Sequence, residues 1–309
     1  MTTLYLTHDA FLGHKVPEGH PERPDRLRAL RKAFDDSAFA ALLRSEAPLA
    51  ASSLATLAHP AAYVSAIEAM APTEGYVGID GDTLMSPGTM EATLRSLGGA
   101  CAAVDAVFAK QATNAFLAAR PPGHHAEKTR AMGFCFFNTA AVAARHAQHM
   151  HGVERIAIID WDVHHGNGTQ DIFWSDKDVL YASTHQMPLY PGTGERSEIG
   201  EHSSIVNAPL RAGDGGEAFK AAMTSVILPR VAAHRPDLII ISAGFDAHHL
   251  DPLANLRLEA NDFAWATRQL MALADKHCHS RIVSVLEGGY DLVGLTESAK
   301  AHVKTLMDA

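Results

Sequence analysis

An alternation constrains the fold of this chain more than any other feature. Short, apolar, β-branched runs are separated by longer stretches of helical periodicity from end to end. Candidate strands lie at 4–7, 115–119, 155–159, 179–183, 238–242 and 282–286. Helical patterns lie at 25–34, 60–70, 89–110, 138–150, 216–234, 261–277 and 294–307. Strands spaced by helices of this length build βα units on a parallel sheet. The run Ile239-Ile240-Ile241 has no polar alternate, as expected of a strand covered by helices on both faces. The predicted class is α/β, a three-layer αβα arrangement around a mostly parallel sheet.

A length of 309 residues taken alone suggests about two domains. The polar clusters argue for one, because they run from residue 120 to residue 290 and make chemical sense only together. A single domain over 1–309 is therefore expected. A hydrophobic content of 47% suits a large buried core. No run approaches 18 apolar residues, so no membrane partner is expected. The start, Met1-Thr2-Thr3-Leu4-Tyr5, shows neither a basic region nor a signal-type apolar core, which favours the cytoplasm. Cys101, Cys135 and Cys278 are an odd, scattered set, which argues against a disulfide framework and against a thiolate zinc site. A formal charge of -9 disfavours nucleic acid as a partner.

The chemistry-bearing segments follow the strands: Arg120–His125, Asp160–Gly168, Ser183–His185, Gly244–His248 and Glu287–Tyr290. Ligands of open α/β sheets collect at the carboxyl ends of strands. In Asp160-Trp161-Asp162-Val163-His164, alternate side chains of an extended segment point the same way. Asp162 and His164, joined by Asp246 from another strand, supply three N/O ligands and leave a position open, the pattern of a catalytic zinc site. The plain alternative is a polar strand end with capping aspartates. His165, pointing oppositely, reads as a packing residue. Pro121-Pro122-Gly123 aims His124 and His125 into one pocket, where Asp160 and Asn167 can orient the two imidazoles. Tyr290, after two glycines, can donate to a developing oxyanion; an ordinary turn is the alternative. Of the 19 histidines, His146, His149 and His151 read as bystanders suiting a helix end, and His248 and His249 as rim residues. The stretches at 13–24 and 187–194 read as loops rimming a pocket.

Six ordered motifs carry a resemblance to the zinc-dependent histone deacetylases. They are Arg-Pro-Pro-Gly-His-His, Gly133-Phe-Cys-Phe-Phe-Asn138, Asp-Trp-Asp-Val-His-His-Gly-Asn-Gly-Thr, Tyr190-Pro-Gly-Thr-Gly194, Ala-Gly-Phe-Asp-Ala-His and Glu-Gly-Gly-Tyr. The chain resembles the class II branch and its bacterial relatives, which include acetylpolyamine amidohydrolases, from His20 almost to the end. The resemblance implies an arginase-deacetylase fold with about eight strands, one catalytic zinc ion on Asp162, His164 and Asp246, and His125 as general base then acid. It also implies Tyr290 as carbonyl polariser, Gly133, Phe134, Tyr190, Gly288 and Thr83 as substrate-binding residues, and Arg26 at an acetate exit. One potassium site is implied near Asp160, Asp162, His164, Ser183 and Thr184, and a second near Phe173, Asp176, Val179 and Ser204.

Asn167 stands where class I members have aspartate, and Leu253 stands where a polyamine-selective member has a glutamate gatekeeper. With no dominant negative cluster in the 13–24 loop, acyl-lysine-type amides are expected to outcompete acetylpolyamines, and Leu253→Glu to shift preference towards them. Hydroxamates are expected to inhibit, and a homo-oligomer stays open. Two competing readings are a binuclear manganese ureohydrolase, which needs a further Asp-x-Asp that Ala247-His248 does not supply, and an inactive acyl-lysine binder, against which His124, His125 and Tyr290 count.

Overall fold

The computed structural model describes residues 2–308. Its first elements are β1 (Thr3–Thr7), α1 (Asp25–Phe34), β2 (Leu43–Glu46) and α2 (Ala61–Ala69). A short hairpin of β3 (Val77–Gly78) and β4 (Leu84–Met85) precedes α3 (Thr89–Phe108), β5 (Asn114–Leu117) and α4 (Thr139–His151). Then come β6 (Ile156–Asp160), α5 (Asn167–Phe173), β7 (Val179–Gln186) and β8 (Ile205–Leu210). The last third holds α6 (Gly216–Ala222), α7 (Leu228–His234), β9 (Leu238–Ala243), α8 (Ala260–Cys278), β10 (Ile282–Leu286) and α9 (Leu292–Met307). A π-helical stretch, Met223–Ile227, joins α6 to α7, so the 216–234 pattern is one interrupted helical run.

Among the described residues, eight strands form one sheet in the order β2-β1-β5-β10-β9-β6-β7-β8. Each neighbouring pair is parallel. Helix α3 packs with α4, and α8 with α9 and α7, giving helical groups that flank the sheet. This is the three-layer arginase-deacetylase architecture. The centre is as apolar as the run of isoleucines implied: Ile239, Ile240 and Ile241 are all fully buried.

All six expected strands are present, and the two further strands of the main sheet lie at its edges. Strand β2, Leu-Arg-Ser-Glu, is exposed along its length and has no hydrophobic pattern to read. Strand β8 carries Pro209, tolerated because an edge strand leaves one side of its backbone without a ladder partner. Helix α5 was not expected either; it is a short helix grown from the polar motif at Asn167. Strand β7 runs on to Gln186, so Ser183–His185 lies inside a strand, not after it.

A smaller apolar cluster of Val64, Ile67, Met85, Leu97, Phe136 and Phe137 sits beneath the hairpin. It supports the turn at 79–83, where the Asp80 carboxylate accepts the backbone N–H groups of Asp82 (3.1 Å) and Thr83 (2.7 Å). This packing carries the β3–β4 turn to the mouth of the cavity described next. No helix among the described residues is long and apolar enough to cross a membrane.

Candidate active site

Neighbouring strands set the spacing of the site. β6 and β9 are in register with Asp160 opposite Ser242, so the loops leaving both strands emerge side by side. Asp162 and His164 come from one loop and Asp246 from the other. His164 Nδ1 lies 3.2 Å from Asp162 Oδ1 and 3.1 Å from Asp246 Oδ2. Backbone donors hold the carboxylates: Gly288 N–H donates to Asp162 Oδ2 (2.8 Å) and Val163 N–H to Asp246 Oδ1 (2.8 Å).

The extended geometry expected for Asp160, Asp162 and His164 holds only in part. The strand ends at Asp160, and His164 is turned in by its own N–H donating to Asp162 Oδ1 at 2.9 Å. Asp160 stays apart from the three atoms that could hold a metal. Its Oδ1 accepts the Asp162 N–H (3.1 Å), while its Oδ2 meets His124 Nδ1 and the Tyr181 hydroxyl, both at 3.1 Å.

His124 and His125 pack with ring centroids 4.0 Å apart. His125 Nδ1 lies 2.8 Å from Asn167 Oδ1, and the Asn167 amide in turn donates to Glu127 Oε1 at 2.7 Å. Asp160 and Asn167 therefore stand against the two imidazoles as expected. Glu287, which the sequence left without a role, is fully buried and accepts the N–H groups of Gly123 (2.7 Å) and His124 (3.1 Å). It ties the histidine turn to the end of β10.

Electrostatics separate the tandem pair. Burial lowers the basicity of both rings. The carboxylates of Asp162 and Asp160 more than offset this at His124 and raise it to about 10. At His125 burial is reinforced by the neighbouring His124 and His164, and its pKa falls well below the usual histidine value. Burial also drives the Tyr290 phenol upward, against the opposing pull of Arg26, so it stays protonated as a donor. Burial and the Asp162 charge push Asp246 up, to about 7. Two buried carboxylates crowded on one point favour a cation there.

A cavity of about 360 Å³ opens onto this floor. His125, His164 and Tyr290 line its base, and Gly133, Phe134, Leu189, Tyr190 and Leu253 its walls. The left-handed φ of +57° at Gly133 suits glycine, and a side chain there would enter the His125 ring. Depressions near Thr113 and near Arg44 have similar volumes but hold none of the motif residues.

Four sequence expectations need correction. Thr83 does not line the cavity; its hydroxyl accepts the Phe134 N–H at 3.0 Å and so places the wall. Gly288 lies beneath the cavity, where an added methyl would come within 2.2 Å of Asp246 Oδ2. His248 is buried, not a rim residue. Within the 13–24 stretch expected to rim the pocket, Glu22 instead is fully buried, ion-paired to Arg120 (2.7 Å) and Arg26 (3.0 Å).

Besides Glu287, sequence reasoning missed Asp82, which lines the cavity mouth with His20 and Pro21. An aspartate in Gly78-Ile-Asp-Gly-Asp82 reads as turn chemistry, and only the fold brings that turn to the site.

The remaining expected residues fall into three places. Arg26 is fully buried against the site: it donates to the carbonyls of Gly289 (2.6 Å) and Glu287 (2.5 Å), and its guanidinium lies 4.8 Å from the Tyr290 ring centre. Ser183 stands opposite Asp160 in register, with Thr184 next to it, and the Ser183 hydroxyl contacts His185 Nδ1 at 2.8 Å. Around Phe173, Asp176, Val179 and Ser204, the Asp176 carboxylate already has a guanidinium partner. Arg145 pairs with Asp176 at 2.6 Å and stacks over Phe173, while Ser204 donates to the Asp176 carbonyl. His165 bonds Thr193 and Gln170, away from the three ligands.

Comparisons with known proteins bear on the family and the fold. A family model described as "Histone deacetylase domain" matches residues 20–306. The chain is 41% identical over 303 residues to a "Probable deacetylase" of Archaeoglobus fulgidus, covering 95% of this chain and 83% of that one. It is 42% identical over 277 residues to a "Histone deacetylase-like amidohydrolase" of Pseudomonas aeruginosa, covering 88% and 73%. Among solved structures, the HDA15 HD domain superposes with a TM-score of 0.94 at 35% identity, covering 100% of this chain and 89% of that one. The chain belongs to the histone deacetylase family.

Proposed function

We propose that the protein is a zinc-dependent deacetylase that hydrolyses acetyl or related acyl amides of lysine-like amines and releases the carboxylate. It would act as a single domain spanning the chain. The observation that carries this reading is the convergence of Asp162, His164 and Asp246, with ligand atoms within 4.8 Å of one another, at the floor of a cavity lined by His125 and Tyr290. One imidazole and two carboxylates, all buried, are a donor set that zinc accepts with a position to spare. Bound there, zinc would supply Lewis acidity to the amide carbonyl and to the attacking water.

The chain's own groups account for the rest. His125 faces the cavity while His124 lies behind it, so His125 is the base that takes the water's proton. The contact with Asn167 occupies its Nδ1 and leaves Nε2 for that proton. It then hands a proton to the departing amine as the C–N bond breaks. His124, held on Asp160, places positive charge beside the reaction. The Tyr290 phenol donates to the oxyanion as the carbonyl carbon becomes tetrahedral. Phe134 and Tyr190 hold the alkyl chain of the substrate, and the chain length is set by the depth they enclose.

Ser183, Thr184 and Asp160 fit a structural potassium ion better than the Asp176 set does, because Arg145 already meets the Asp176 carboxylate. Asp82 favours a second reading of the substrate. A carboxylate at the mouth gives a distal ammonium the partner that Leu253 withholds. Steady-state kinetics on an acetyl-lysine peptide and on acetylspermidine decide between them. The acetyl-lysine reading expects a higher kcat/KM for the peptide and little change in the ratio for Asp82→Asn. A parent preference for acetylspermidine that Asp82→Asn abolishes would overturn it.

A further inference from the structure

Away from the cavity, three side chains on two packed helices aim their ligand atoms at one point. Asp105 lies in the last turn of α3, and His146 and His151 lie on α4, which packs against α3. The Nε2 atoms of both histidines lie 2.7 Å from the same oxygen, Asp105 Oδ1. Among the described residues, two groups of three such ligands come within 4.8 Å of one another: the triad at the cavity floor and this one. The His151 ring is fixed by stacking on Phe108, with centroids 4.6 Å apart and planes 13° from parallel.

Helix geometry does not produce this convergence by itself. Residues five apart are not neighbours on a helix face, where partners fall three or four apart. His146 and His151 meet on one oxygen only because Asp105 reaches between them from the other helix. Two imidazoles and a carboxylate form an N₂O donor set suited to first-row divalent transition metals, whereas calcium and magnesium prefer all-oxygen shells. Side-chain exposures of 53% for Asp105, 12% for His146 and 23% for His151 leave room for solvent to complete the shell. At the cavity floor, His164 Nδ1 stands 3.1–3.2 Å from its two carboxylate oxygens, against 2.7 Å for the contacts here. Tetrahedral ligands about 2.0–2.2 Å from zinc lie roughly 3.3–3.6 Å apart, so each imidazole would withdraw from Asp105 Oδ1 by roughly 0.6–0.9 Å to admit the ion, a movement the partly exposed helix surface allows.

We propose that Asp105, His146 and His151 form a second metal site, which takes a divalent first-row transition-metal ion such as zinc and staples α3 to α4. Bound metal joins two helices that otherwise meet through packing and one shared carboxylate. Because it binds the folded chain and not the unfolded one, it raises thermal stability. Neither the catalytic cavity nor its zinc is needed for this site.

The test is a difference in metal stoichiometry. Protein stripped with chelator is dialysed against micromolar zinc, and metal per chain is measured for the parent, for Asp105→Asn and for His146→Ala/His151→Ala. The asparagine still accepts both hydrogen bonds but ligates zinc poorly, so packing is kept while the site is lost. The parent is expected to hold one more ion than either variant, and zinc is expected to raise the Tm of the parent more than that of the variants. Cobalt substitution is expected to add visible absorption bands in the parent that both variants lack. Equal zinc content in all three proteins would overturn the proposal, as would an extra ion retained by both variants. The comparison counts only the ion lost, so its outcome is independent of whether Asp162, His164 and Asp246 also hold zinc.

Discussion

Tyr290 is the residue whose contribution can be isolated most cleanly. Its ring is held by Arg26 and Phe134, and these contacts survive removal of the hydroxyl. Tyr290→Phe is therefore expected to keep its Tm and lose roughly 10²–10³-fold in kcat, the usual cost of one oxyanion donor. The contrary result is a rise in KM with kcat untouched, which would make the phenol a binding group only. Residues of this kind were legible because their types are chemically unusual at strand ends: adjacent histidines, alternating aspartates, a tyrosine after two glycines. Asp82 and Glu287 were not legible as site residues. An aspartate among glycines looks like a turn, and a glutamate at a strand end looks solvated until the fold buries it under the His124 turn.

At the scale of elements, the loops after β6, β9 and β10 act as one unit because their strands share a register. Gly288 meets both neighbouring loops: its N–H donates to Asp162, and a methyl added there would come within 2.2 Å of Asp246 Oδ2. Gly288→Ala is expected to push Asp246 off its position and weaken zinc affinity on the order of 10–100-fold, as other disruptions around metal ligands do. Competition against a chromogenic chelator measures this, and unchanged affinity would show that the β10 loop yields easily. The six inner strands were readable from their apolar composition. The edge strands β2 and β8 were not: β2 is exposed along its length and carries no apolar pattern, and β8, though buried, is broken in sequence by Asn207 and Pro209. The pairing of α3 with α4 through Asp105 was invisible for a related reason: interhelical contacts have no sequence period.

Across the whole molecule, a buried ionic knot ties the segment before α1 to the ends of β5 and β10. Glu22 pairs with Arg120 and Arg26, and His14 lies 3.2 Å away. Burial alone would raise the Glu22 carboxyl, but Arg120, His14 and Arg26 together hold it below the usual carboxylate range. A depressed folded pKa means its stabilisation is complete above the unfolded value of about 4.3 and is lost as pH falls towards the folded one. Glu22→Gln is expected to flatten the acid limb of the Tm-versus-pH curve. It should also cost about 3–5 kcal/mol at neutral pH, because two buried guanidiniums lose their counter-charge. An unchanged acid limb would place the acid-sensitive step elsewhere.

The proposed activity requires one catalytic metal at Asp162, His164 and Asp246, and zinc add-back measures it most directly. The cleanest protein for this is the His146→Ala/His151→Ala variant, stripped of metal and assayed on an acetyl-lysine peptide as zinc is returned. Turnover should be absent without metal, rise in proportion to added zinc and level off at about one equivalent, in line with a three-ligand catalytic site. Asp246→Ala in the same background should stay inactive throughout. Full turnover by the stripped protein, or restored turnover with Asp246 replaced, would contradict the assignment.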